Sequence, residues 1–150
     1  MKKCQKPPFT DSERLQQTAV HEAGHAVMAV HFGFPLGLVS IKSDGFYAGI
    51  THTPEAGEIM TQHPDALFGL EKEIIILMAG TEAVKTALPK LARPPWGDEG
   101  DLEQVDVRVN ELCMFTEEGK NSAKRRLRHM TGWYMADQAI RGAVVDVSAD

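Results

Sequence analysis

The stretch TAVHEAGHAVMAVH, from Thr18 to His31, sets three of the chain's six histidines and a glutamate inside an apolar helical pattern. No other segment constrains the fold as strongly. Leu15, Ala19, Ala26, Val27 and Val30 recur at three- and four-residue intervals, which predicts a helix that buries one face. Thr10 with Glu13 has the form of a capping box and marks its start. GFPLG ends it near Phe32, because Gly33 suits a left-handed cap and Pro35 cannot continue a helix. Two imidazoles and a carboxylate on a largely buried helix need partners, since an unpaired buried polar group costs roughly 1–3 kcal/mol.

The segment HEAGH, His21 to His25, is an HExxH pattern. Four residues advance an α-helix by about 400°, so His21 and His25 stack on one face, one turn apart. Two imidazoles so placed can both meet one zinc ion at about 2.0–2.1 Å. Glu22 lies about 100° round the helix. It can reach a metal-activated water without competing for ligation, where a general base belongs. His31 is not expected to ligate. In an unbroken helix it points about 80° away from His21 and lies about 15 Å further along the axis.

A catalytic zinc takes three protein ligands and keeps one open position. Candidates for the third ligand are His52, His63, His129 and the acids Asp98, Glu99 and Asp101 in WGDEGDLEQV. Asp101 begins a helix just after a glycine, where backbones can approach closely, and stands slightly ahead of Asp98 on chemistry alone.

Beyond the first helix, LVSIKSDGFYAGITHT reads as two short strands around a Ser43-Asp44-Gly45 turn. Asp65 to about Leu88 reads as a buried second helix, and LPKLARPPWGDEG as a proline-rich connection. Asp101 to Phe115 is a third helix, with Leu102, Val105, Val109 and Leu112 at helical spacing. A fourth runs from Glu117 to about Ile140, and the VVDVSAD tail is ambiguous. The expected fold class is α+β, predominantly helical: one domain over residues 1–150 with a flexible N-terminus over 1–9, a small β-hairpin and a helical C-terminal part.

The net charge of −5 speaks against nucleic acid as a partner. The basic run Lys124-Arg125-Arg126 with Arg128 opposes that trend and reads as a solvated helix face. Cys4 and Cys113 form no paired motif, which suits reduced thiols and a cytoplasmic location. The longest apolar run, IIILMAG, is too short to span a bilayer, and no secretory signal is expected in MKKCQKPPFT.

HEAGHA, LMAGTEAV and GDLEQV, in that order, resemble the peptidase domain of the FtsH-like ATP-dependent zinc metalloproteases. The resemblance covers about Ser12 to Phe115. It implies a zincin-like peptidase whose Zn2+ is held by His21, His25 and Asp101, with Glu22 as the catalytic base. It also implies a strand beside the cleft, so Tyr47, Gly49 and His52 become candidate substrate-binding residues. The chain departs from the family at AGTEAV, where Val84 stands in place of the usual acid and Glu82 lies two places earlier. The family's ATPase module and membrane helices are not in this sequence.

The expected function is therefore zinc-dependent hydrolysis of peptide bonds in unfolded proteins or peptides. A separately encoded ATPase or unfoldase is an implied partner, and ring assembly of the family suggests a homo-oligomer. The alternative is a non-catalytic zinc-binding or interaction domain derived from the same fold, and a further one is hydrolysis of a non-peptide amide.

Overall fold

The computed structural model describes residues 9–34, 39–40, 50–51, 66–92 and 99–149. Helix α1 spans Asp11–His31, and the residue pairs β1 (Val39–Ser40) and β2 (Ile50–Thr51) follow. Helix α2 is Ala66–Ala87, α3 is Glu99–Met114, α4 is Lys120–Ala136 and α5 is Gln138–Ala149; a 3₁₀ turn, Pro89–Leu91, follows α2.

The expected α+β class is corrected to an all-helical fold. Among the described residues, β structure amounts to Val39 opposite Thr51 and Ser40 opposite Ile50. Two residues per strand offer no face that could bury a core layer, so helices supply the core. The predicted turn at Ser43-Asp44-Gly45 lies outside the described residues.

Both ends of α1 follow from local chemistry. The Glu13 amide donates to Thr10 Oγ1 at 3.1 Å and the Thr10 amide donates to Glu13 Oε1 at 3.2 Å, closing the capping box. At the other end Gly33 takes φ +75°, which a residue without Cβ adopts freely. The Phe34 amide then reaches the Ala29 carbonyl at 2.8 Å and the Gly33 amide reaches the Val30 carbonyl at 3.0 Å, a Schellman closure.

The face that α1 buries carries Gln17, Val20, Ala23, Met28 and Ala29 together with His21, Glu22, Gly24 and His25. Leu15 and Val30, which the sequence pattern puts on the apolar stripe, stand exposed. Their places in the core are taken by small residues, which let α2 come close. A Cβ built on Gly24 would lie 2.6 Å from the Ala79 carbonyl oxygen and 2.7 Å from Ala83 Cβ. Gln17 Nε2 donates to the Leu91 carbonyl at 2.9 Å and ties α1 to the 3₁₀ turn.

One hydrophobic cluster joins the helices, with Leu70, Ile74, Ile75 and Val84 from α2 and Val105, Val109 and Leu112 from α3. Leu127 and Met135 from α4 and Ile140 and Val144 from α5 extend it. Arg108 Nε donates to Glu73 at 3.0 Å and pins α3 to α2. Arg126 of α4 bonds Glu71 of α2 at 2.7 Å.

The single helix expected over Glu117 to Ile140 is in fact two. Asp137 adopts extended backbone at the end of α4, and its Oδ1 accepts from the amides of Ala139 at 2.9 Å and Ile140 at 3.2 Å. A carboxylate satisfying the first free amides is an N-cap, so α5 starts there. The tail then continues as helix to Ala149 because Ile140 and Val144, one turn apart, both reach the core. Among the described residues, no helix is long and apolar enough to cross a membrane.

Candidate metal centre

The site lies where α1 crosses α2, beside the start of α3. His21 and His25 stack on the inner face of α1, with ring centroids 4.7 Å apart and planes nearly perpendicular. Their Nε2 atoms are 3.0 Å apart. Asp101 Oδ2 lies 2.8 Å from His21 Nε2 and 3.0 Å from His25 Nε2, although Asp101 is 80 positions from His21. Three donor atoms from two helices thus form a nearly equilateral triangle.

The protonation pattern explains why such a triangle needs a cation. His25 Nδ1 lies 2.7 Å from the Ile76 carbonyl oxygen. That oxygen can only accept, so Nδ1 carries the proton and donates it. In a neutral ring Nε2 then presents a lone pair, aimed at the Asp101 carboxylate. Lone pairs so close repel unless positive charge sits between them.

A proton meets that need in part. Burial pushes His25 down, but the hydrogen bond and charge of Asp101, with the charge of Glu22 and the Ile76 carbonyl, raise it to about 9. Burial likewise pushes Asp101 up, yet the His21 and His25 contacts hold it well below the usual carboxylate range. A metal ion meets the need more fully. Zinc bonds of about 2.0–2.1 Å at tetrahedral angles separate ligand atoms by about 3.3 Å, a few tenths of an ångström more than here.

The floor of the site is Gly80. A Cβ there would come within 2.6 Å of His25 Nε2 and 2.7 Å of His21 Nε2. Any side chain at position 80 would fill the space between the imidazoles. The Ile76 carbonyl sits one turn earlier on the same helix and fixes the His25 tautomer, as outer partners of metal-ligating histidines do.

Glu22 is buried beside them, 6% exposed. A carboxylate oxygen of Glu22 and the ring nitrogens of His21 and His25 all lie within 4.8 Å of one another. Asp101 closes a tighter trio, so the donor set that best suits a metal is His21, His25 and Asp101. Glu22 lies beside that trio on the same turn of α1 as His21. The Asp101 side chain is 28% exposed and forms part of a cleft wall, which leaves the trio open on that side.

The remaining sequence candidates divide simply. His31 is exposed and edge-on to Phe32 and Tyr134, away from the trio. His129 is exposed on α4. Glu99 is the first residue of α3. Val84 is fully buried in the core, while Glu82 makes a 3.2 Å ion pair with Lys85. Leu102, a core position by its spacing, is 48% exposed and lines the cleft instead. Tyr47, Gly49, His52, His63 and Asp98 lie outside the described residues.

Gly80 falls within the LMAGTEAV segment, yet the sequence pattern assigns it no role at the rings. Its only sequence signal is a glycine in mid-helix, which costs stability and so points to a close approach. The Ile76 carbonyl has no sequence signal at all. No protein-family profile, curated protein or solved structure matches this chain.

Proposed function

We propose that this chain is a zinc-dependent metallopeptidase of the FtsH-like kind, cleaving peptide bonds in unfolded proteins or peptides. One observation carries the reading: His21, His25 and Asp101 present three donor atoms within 3.0 Å of one another at a glycine-floored crossing. These three residues would hold the zinc. When bound, zinc supplies a Lewis acid that polarises a carbonyl and acidifies a water.

The chain's own groups do the rest. The Ile76 carbonyl holds the His25 tautomer, which keeps Nε2 free to ligate. Asp101 contributes the negative charge that balances the cation. Glu22 takes a proton from the attacking water and returns it to the departing amine, the task of a positioned carboxylate base.

The carboxylate of Glu22, buried beside the paired imidazoles, favours catalysis over a metal-binding domain without turnover. The proposed substrates are unfolded proteins or peptides, and the proposed partner is a separate unfoldase. The free thiol of Cys113 suits a reducing compartment, the cytoplasm in this proposal.

Glu22→Gln tests the assignment. Zinc stoichiometry should stay at that of the wild type, while cleavage of a denatured protein falls by about 10²–10⁴-fold. Turnover retained in that variant would overturn the role of Glu22. Absence of zinc from the wild-type protein, measured by metal analysis after purification in zinc-supplemented medium, would overturn the whole reading.

A further inference from the structure

The basic run on α4 stands out in a chain of net charge −5, and the fold sorts its members. Lys124 pairs with Asp106 of α3. Arg126 is held by Glu71 at 2.7 Å and Glu118 at 2.9 Å. Arg125 and Arg128 form no ion pair among the described residues. Three residues apart, they share a helix face with His129 and Gly132.

Two clefts meet along that face. The first, of about 280 Å³, runs from Asp101 past Thr81 to Arg128. The second, of about 440 Å³, is walled by Arg125, Arg128, His129 and Trp133. Glu82 and Arg128 border both, and the Glu82 charge is already engaged by Lys85. The combined groove therefore has Asp101 of the candidate metal centre at one end and, at the other, arginines whose charge is uncompensated among the described residues. Trp133, 73% exposed, offers an aromatic face along it.

We infer that this groove seats a carboxylate of the peptide substrate, held by Arg125 and Arg128, and so selects substrates with an acidic group near the scissile bond. The inference rests on the peptidase reading and names the substrate class of that site. Arginine presents a planar fork matched to a carboxylate. A polyanion such as nucleic acid fits less well, because Asp101 lines the same groove and the chain carries a net charge of −5. An acidic side chain and a free chain terminus share the required chemistry.

Zinc-loaded Glu22→Gln protein allows binding to be read without turnover. Fluorescence anisotropy is measured with labelled peptides of one length: acidic with free terminus, acidic with amidated terminus, glutamine-substituted with free terminus, and glutamine-substituted with amidated terminus. The last should bind about tenfold more weakly than the first, the fold-change of one charge-assisted contact. The two singly charged peptides tell the side chain from the terminus.

Adding R125Q and R128Q should level the series, while adding K124Q should leave the preference intact. Circular dichroism checks that each variant remains folded. Equal binding across the peptides, or a preference that survives R125Q with R128Q, overturns the inference. So does arginine-dependent capture of a single-stranded oligonucleotide without capture of any peptide. Wild-type cleavage with no charge preference overturns the groove assignment and spares the peptidase reading. Arginine-dependent binding of acidic peptides that wild-type protein never cleaves does the reverse.

Discussion

The α1–α2 crossing and the α4–α5 end of the molecule are both helix packings, yet they use glycine in opposite ways. At the crossing, Gly24 and Gly80 sit where a methyl group would meet other atoms at 2.6 Å. Close backbones there hold two imidazoles and two carboxylates in fixed positions. At the α4–α5 end, Leu127, Met135, Ile140 and Val144 contribute larger side chains to the shared core. A methyl group on Gly142 of α5 would meet nothing within 4 Å among the described residues, so this glycine serves no close approach there. A glycine in a helix is thus a sign of function only where the tertiary contacts are tight.

The sharpest way to break this comparison is Gly24→Ala. Its Cβ meets the Ala79 backbone, which cannot rotate away, so the helices must part. The variant should lose about 2–3 kcal/mol in urea unfolding, even after the gain in helix propensity. An unchanged midpoint would show that the crossing has slack.

Gly80→Ala acts on the imidazoles rather than on a backbone. It should weaken zinc binding by about 10–100-fold, the scale seen when the support of ligating histidines is disturbed. Competition with a chelating dye measures this, and wild-type affinity in the variant would contradict the role given to Gly80.

The crossing should also be the pH-sensitive part of the metal-free protein. His25 is raised from 6.5 to about 9 in the folded state, so folding retains a proton that the unfolded chain has released. Its stabilising contribution is complete below pH 6.5 and is lost as pH rises through about 9. Asp101 is lowered, so its contribution is present above 3.8 and fades in strong acid. Urea midpoints of chelator-treated protein should therefore fall as pH rises from 6.5 to about 9. Midpoints that rise there would reverse the sign, and saturating zinc should flatten the dependence because the metal replaces the proton.

The smallest effect belongs to Gly142→Ala. In an exposed helix with open space around it, the change should stabilise by about 0.5–1 kcal/mol through helix propensity and reduced unfolded-state freedom. A loss of stability would mean that the α4–α5 end shares the tightness of the crossing.

Legibility in the sequence differs from element to element. Both ends of α1 can be read, because a capping box and a glycine closure are chemistry within a few residues. The break at Asp137 is also local, but its cap lies inside an otherwise continuous apolar period that masks it. The α+β expectation fails because β-propensity around Val39 and Ile50 does not say how many residues will pair. Leu102 has helical spacing yet faces the cleft, since periodicity gives a stripe but not which edge of it meets solvent.

Local order alone determined that His21 and His25 would share one face of a helix and that Glu22 would stand beside them. Helical geometry fixes directions over four residues wherever the helix goes. Tertiary packing decided the rest: that Asp101 closes the trio from a separate helix, that Gly80 forms its floor, and that Arg125 and Arg128 are left uncompensated among the described residues. Those relations span separate helices, and their distances depend on how closely small residues let the helices approach.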